Sequence, residues 1–77
     1  MKVNRRQVRL VISEAERLEV KLKFIEEFDR FSRTSKSLQE YLDLIKSNRV
    51  EIDFPTSSFA ILKRLVLKNE GNLFIEN

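Results

Sequence analysis

Apolar residues are dense between Ser13 and Phe31, and their spacing is that of a helix. On a helical wheel they form two stripes, which are Ala15, Leu18, Leu22 and Ile25 on one side and Val20, Phe24, Phe28 and Phe31 on the other. The two stripes together are wider than the buried face of an ordinary surface helix. We therefore predict one helix over residues 13–31 that packs against neighbours on two sides.

The pattern S-x-x-E at Ser13 and Glu16 is a capping box, which predicts that this helix begins at Ser13. A hairpin is the alternative, because apolar residues also alternate over residues 17–24 and would form a second strand. The segment SEAE that would have to turn between the two strands contains no Gly, Asn or Pro. The helix is therefore favoured over the hairpin.

Arg5–Ile12 precedes this helix and alternates in the manner of a strand with one buried face. The apolar positions are Val8, Leu10 and Ile12, and the opposite face carries Arg5, Gln7, Arg9 and Val11. We predict that this segment is the first strand of the fold.

The remainder of the chain predicts two helices and two strands. The first helix begins directly after Ser37, which forms an S-x-x-E capping box with Glu40, and it ends at Asn48. A strand at Arg49–Phe54 follows, then a helix capped by Thr56 or Ser57 and ended by Gly71, and finally a strand at Leu73–Ile75. The predicted fold is α+β, in the order strand-helix-helix-strand-helix-strand. It is one small domain over residues 1–77, made of a strand-helix-helix unit at 5–47 and an extension at 48–77.

Composition argues against catalysis. The 77 residues include no Cys and no His, which excludes the usual catalytic triads, thiolate chemistry and zinc hydrolysis. Gly71 is the single glycine, so no phosphate-binding loop is present, and we expect neither a metal site nor a cofactor. The apolar run at Val8–Ile12 is too short for a signal peptide or a membrane span. We therefore expect a cytoplasmic protein that is not an enzyme and does not contact membranes.

The net charge of +3 is unevenly distributed. Residues 1–12 contain four basic side chains and no acidic one, whereas residues 13–31 are net acidic. This concentration of positive charge at one end indicates contact with a polyanion.

Residues 5–47 resemble the ribbon-helix-helix DNA-binding proteins. The resemblance consists of the basic alternating strand, a capped helix, the polar turn S-R-T-S-K-S and a second amphipathic helix. It implies a homodimer whose first strands pair and enter the major groove as a two-stranded ribbon. The family usually has a glycine in the turn, where this chain has Ser32 and Arg33, and its first helix is usually about one turn shorter.

The resemblance also implies roles for individual residues. Arg5, Gln7 and Arg9 would lie on the DNA side of the ribbon, and Thr34, Ser35 and Ser37 would hold a phosphate at the start of the second helix. The dimer or partner interface would contain Val8, Leu10, Ile12, Phe24, Phe28 and Phe31. The implied function is that of a DNA-binding transcription regulator.

A second hypothesis remains open. Residues 7–12, 49–54 and 73–75 would form one small sheet within a single chain, and Arg5, Arg6 and Arg9 would merely be its solvated face. The protein would then be a small protein-binding module, such as an inhibitor or adaptor from a mobile element, without contact to nucleic acid. Under either hypothesis, residues 49–77 are a candidate surface for a protein partner.

Overall fold

A computed structural model describes residues 1–50 and 56–76. The described residues form four α-helices and a two-stranded antiparallel sheet, and the fold is mostly helical. In chain order the elements are β1 (Lys2–Val3), α1 (Arg5–Arg17), α2 (Leu22–Phe31), α3 (Ser35–Lys46), α4 (Ser57–Lys68), a single 3-10 turn (Glu70–Asn72) and β2 (Phe74–Ile75).

The predicted strand at Arg5–Ile12 is wrong, because these residues form most of helix α1. Asn4 caps the helix, and its Oδ1 accepts a hydrogen bond from the backbone N–H of Gln7 at 3.2 Å. The buried positions are Val8, Val11 and Ala15, whose spacing of three and four residues is helical. Burial of this stripe outweighs the alternation of apolar and polar residues around Arg9, which by itself predicts a strand.

The single helix predicted over residues 13–31 is also wrong, because the chain breaks between α1 and α2. Glu19 adopts a left-handed backbone conformation with φ of 59°. The N–H of Glu19 donates to the carbonyl of Glu16, and the N–H of Val20 donates to that of Ala15, both at 3.0 Å. These two bonds define a Schellman motif, which ends a helix and turns the chain away. Ser13 consequently lies inside α1 rather than at its start.

The break lies within both apolar stripes of the sequence, so neither stripe runs along one continuous helix. Ala15 is buried on α1, whereas Phe24, Ile25 and Phe28 are buried on α2. The expected burial of the phenylalanines is confirmed for Phe24 and Phe28, and Phe31 is half-buried against the core.

Helices α3 and α4 occur where the sequence predicts helices. The hydroxyl of Thr34 accepts from the N–H of Ser37 at 2.9 Å, so α3 begins earlier than predicted from Ser37. Thr56 caps α4 in the same way through the N–H of Phe59, as expected. Asn48, with φ of 59°, ends α3 in a second Schellman motif and is confirmed as its left-handed terminator.

The prediction that Gly71 ends the last helix is wrong. Helix α4 ends at Lys68, Asn69 caps it, and Gly71 lies in the following 3-10 turn without a positive φ. The predicted terminal strand is present as β2, which pairs with β1 through Lys2 opposite Ile75 and Val3 opposite Phe74. The predicted strand at 49–54 falls mainly on residues 51–55, which lie outside the described residues.

The helices enclose one hydrophobic core. Helix α1 packs on α2 and α4, while α2 packs on α1, α3 and α4. The largest fully buried side chains include those of Phe28, Tyr41, Leu42 and Leu62, which come from three different helices. Because α4 supplies Phe59, Leu62 and Val66 to this core, the segment predicted as an extension is part of the same folded unit.

Candidate nucleic-acid interface

Arg5 connects α1 to the end of α2. Its guanidinium donates to the hydroxyl of Ser32, which is fully buried, and forms an ion pair of 3.2 Å with Asp29. The same carboxylate pairs with Arg33 at 3.3 Å. These contacts link α1 to the end of α2, so the guanidinium of Arg5 is already engaged within the chain.

Gln7 has a comparable structural role at the other side of α1. Its side-chain amide donates to Oδ1 of Asn69 at 2.9 Å, while the amide of Asn69 donates to the carbonyl of Leu65 at 2.8 Å. This chain of bonds joins the first turn of α1 to the last turn of α4. A glutamine held in this way does not present its amide to a base edge.

Arg9 is exposed and, unlike Arg5 and Gln7, forms no side-chain hydrogen bond or ion pair with the described residues. On helix α1 it shares the outward side with Arg6, Leu10 and Ser13, which are all exposed. Because the segment is helical, Gln7 lies on a different side of α1 from Arg5 and Arg9, which are one turn apart, and the three residues do not line one side of a ribbon.

The predicted phosphate-binding turn at the start of α3 is occupied by contacts within the chain. The hydroxyl of Thr34 caps α3, and the hydroxyl of Ser35 donates to the backbone carbonyl of Met1. The N–H of Ser37 is the donor to Thr34. The three polar residues therefore stabilise the helix start and tie the amino terminus to it.

The six residues predicted at a dimer or partner interface have different environments. Val8, Phe24 and Phe28 are buried in the core of the chain itself, and Ile12 and Phe31 are half-buried against that core. Leu10 is 56% exposed. Of the six, Leu10 alone offers most of its side chain to another molecule.

The charges of the four helices are strongly asymmetric. Helix α1 contains four arginines and two glutamates, and α4 contains two lysines, one arginine and no acidic residue. Helices α2 and α3 together contain four basic and five acidic residues. The adjacent pair α1 and α4 thus carries a net charge of +5, while the other pair carries −1.

We define the basic surface as the exposed cations of the two helices, which are Arg6 and Arg9 on α1 and Arg64 and Lys68 on α4. The side chains of Arg6, Arg9 and Arg64 form no hydrogen bond or ion pair within residues 1–50 and 56–76. Cations without intramolecular partners can contact phosphates at little cost in lost interactions.

A shallow groove runs between the two helices of the basic surface. Leu10 and Gln7 line one wall, and Leu65 and Lys68 line the other. Glu14 also lies in the groove, where a bidentate hydrogen bond from Arg17 lowers its pKa and the charge of Lys68 contributes. The carboxylate of Glu14 therefore stays ionised, and its negative charge is paired with Arg17.

Other kinds of site are not found in the described part of the chain. Residues 1–50 and 56–76 contain no group of three acidic, His or Cys side chains that could hold a metal ion. Within the same ranges, no helix is both long enough and apolar enough to cross a membrane.

Sequence reasoning missed Arg6, Arg64 and Lys68 as members of one surface. Two signals were available: the pattern N-x-x-Q at Asn4 and Gln7 is a helix-start signature, and the segment 57–68 contains three cations and no acid. The pairing of α1 with α4 is tertiary, and no local pattern encodes it.

Comparison of the chain with protein-family models, with curated proteins and with solved structures finds no match.

Proposed function

We propose that this protein is a non-enzymatic DNA-binding regulator that contacts its ligand through the basic surface. The carrying observation is the concentration of charge on α1 and α4, with a net +5 on two adjacent helices. A sequence pI of about 9.5 accompanies it. Positive charge clustered on one side of a basic domain is the electrostatic signature of nucleic-acid binding.

The mechanism does not use a two-stranded ribbon built from residues 5–12, because these residues are helical. Instead, the positive charges of Arg6, Arg9, Arg64 and Lys68 would displace counterions from the DNA, whether each side chain contacts a phosphate or a base. Four such contacts correspond to a slope of roughly −3.6 in a plot of log affinity against log salt concentration. Affinity would then fall on the order of 100-fold between about 50 and 200 mM salt.

Fluorescence anisotropy of a labelled mixed-sequence DNA duplex, titrated at several salt concentrations, tests this proposal. The double variant Arg64→Gln and Lys68→Gln should reduce the magnitude of the slope by about 2. The matched control is Lys36→Gln with Arg49→Gln, which removes the same charge from the α3 side of the molecule. Equal effects of the two double variants, or no binding of duplex at low salt, would contradict the proposal.

A protein-binding module is the second candidate function. It is supported by Leu10 at the wall of the groove and by the exposed Leu18 and Leu22 at the corner between α1 and α2, where Leu22 is 66% exposed. Under this hypothesis, Leu10→Ala and Leu22→Ala would abolish binding of a protein partner. The protein would show no salt-dependent binding of DNA. The homodimer expected from the sequence remains a prediction, which sedimentation of the free protein tests.

A further inference from the structure

We infer that α1 is the element that enters DNA, and that it reads the major groove of a B-form duplex with the side that presents Arg6, Arg9, Leu10 and Ser13. This inference rests on the proposed function and adds to it the form of the nucleic acid and the residues that read it.

The dimensions of α1 suit a major groove. Its 13 residues extend roughly 20 Å, and a helix with side chains is about 10–12 Å in diameter, while the major groove of B-form DNA is about 12 Å wide. Arg6, Arg9, Leu10 and Ser13 on the outward side of α1 are all exposed in the part of the chain that the structure describes. The major groove of A-form RNA is too deep and narrow to admit a helix, so α1 cannot bind duplex RNA in the same way.

The exposed side chains of α1 have the chemistry of base readout. Arginine donates two hydrogen bonds to the major-groove edge of guanine, and an apolar side chain contacts the methyl group of thymine. Arg6 and Arg9 are three residues apart and Leu10 follows directly, so all three lie within about one turn of the outward side. Lys68 lies beside Leu10 across the groove, where it can contact the phosphate backbone that borders a helix seated in DNA.

The positions of the aromatic residues argue against single-stranded nucleic acid. Proteins that bind single strands stack bases on exposed aromatic rings. Within residues 1–50 and 56–76 every aromatic side chain is buried or half-buried. Phe31 is stacked on Tyr41 at a centroid distance of 4.7 Å, and the guanidinium of Arg30 covers it at 4.7 Å from the ring centroid. None of these rings offers a free stacking platform on the basic surface.

The first experiment compares three probes of one sequence at one salt concentration, which are duplex DNA, single-stranded DNA and duplex RNA. We expect at least tenfold tighter binding of duplex DNA than of either competitor. Equal or tighter binding of duplex RNA or of the single strand overturns the inference about α1 while the proposed function of the basic surface stands. Absence of binding to all three probes overturns the proposed function itself.

The second experiment selects binding sites from a randomised duplex pool and sequences them for the wild type and two single variants. Arg9→Gln should relax the preference at one base pair by roughly tenfold, because it removes a bidentate contact to a base. Lys68→Gln, which removes one charge from the same surface, should weaken binding to all sequences alike. An identical pattern of selected sites for Arg9→Gln and wild type would overturn the assignment of Arg9 as a reading residue.

Circular dichroism tests whether the variants are folded, so that a loss of binding can be separated from a loss of structure. Arg9 and Lys68 are exposed, so both variants should retain the helical signal and melting temperature of the wild type. A preference for sequences that persists in Arg9→Gln but disappears in Gln7→Ala would place the reading side on the groove between the helices, and would likewise contradict the inference.

Discussion

The left-handed residue between α1 and α2 leads to a stability prediction. Glu19 has φ of 59° and occupies the position of a Schellman motif that glycine usually fills. A left-handed conformation costs a residue with a Cβ roughly 1–2 kcal/mol, whereas glycine adopts it freely. Glycine also loses more chain entropy on folding, by roughly 0.5–1 kcal/mol. Glu19→Gly should therefore raise the free energy of unfolding by about 0.5–1 kcal/mol.

Two variants serve as controls for this prediction. Asn48 has the same φ at the end of α3, but asparagine tolerates that conformation and its side-chain oxygen accepts a hydrogen bond from Lys63. Asn48→Gly should therefore be neutral or slightly destabilising. Glu19→Ala retains a Cβ, and so it separates the effect of the backbone from that of the exposed carboxylate.

Urea denaturation and thermal melting of the three variants measure the difference. For a domain of this length, 1 kcal/mol corresponds to roughly 4–8 °C in melting temperature. We expect Glu19→Gly to melt about 4 °C above the wild type, with Glu19→Ala close to the wild type. A Glu19→Gly protein that melts below the wild type, or at the same temperature as Asn48→Gly, would refute the assignment of the chain break to this residue.

Three further predictions concern the core and the framework. Because Arg5 is engaged with α2, Arg5→Ala should lower the free energy of unfolding by about 1 kcal/mol in a urea titration. It should weaken DNA binding less than Arg9→Ala does, and the reverse ranking of the two variants in DNA binding would contradict the structural role of Arg5. Burial raises the pKa of Tyr41, so its phenol stays protonated in the fold and stability falls as the pH rises above about 10, the unfolded pKa. Tyr41 is the single tyrosine, so absorbance at 295 nm should report its ionisation only together with alkaline unfolding, and ionisation in the folded state would contradict the burial. Phe28→Ala should lower the free energy of unfolding by about 3–5 kcal/mol and leave the chain largely unfolded by circular dichroism, whereas Leu10→Ala should barely change it. A folded Phe28→Ala protein would contradict the central position of the Phe28 ring in the core.

Local patterns in the sequence predicted several elements in the second half of the fold correctly. Thr56 caps a helix, Asn48 ends one, and a short terminal strand follows, because each of these features depends on a few adjacent residues. The α3 helix was also correct, although Thr34 rather than Ser37 caps it. The α+β class and the single domain agree with the structure, which is more helical than expected.

The first half was misjudged for two physical reasons. Residues 5–12 satisfy both a strand pattern and a helix pattern, and the packing of Val8 and Val11 against other helices decides between them. The break at Glu19 relies on a residue that rarely ends a helix, and what stabilises it is the burial of Val20 beyond the motif. Neither effect is visible without the tertiary neighbours.

The candidate site was predictable only in its charge. The excess of basic residues near the amino terminus is evident in the sequence, and Arg9 lies on the basic surface. Arg5 and Gln7 have partners far away in the chain, at Asp29 and Asn69, and these contacts withdraw them from a reading role. The contribution of α4 depends on how the helices pack together.

DNA binding by the basic surface is tested most directly by a nuclear magnetic resonance titration of the ¹⁵N-labelled protein with a short DNA duplex. We expect shifts of backbone amides in α1 and in the second half of α4, centred on Arg9 and Lys68, with little change along α2 and α3. Shifts centred on the start of α3 around Ser35, or spread evenly over all four helices, would contradict the assignment of DNA binding to the basic surface.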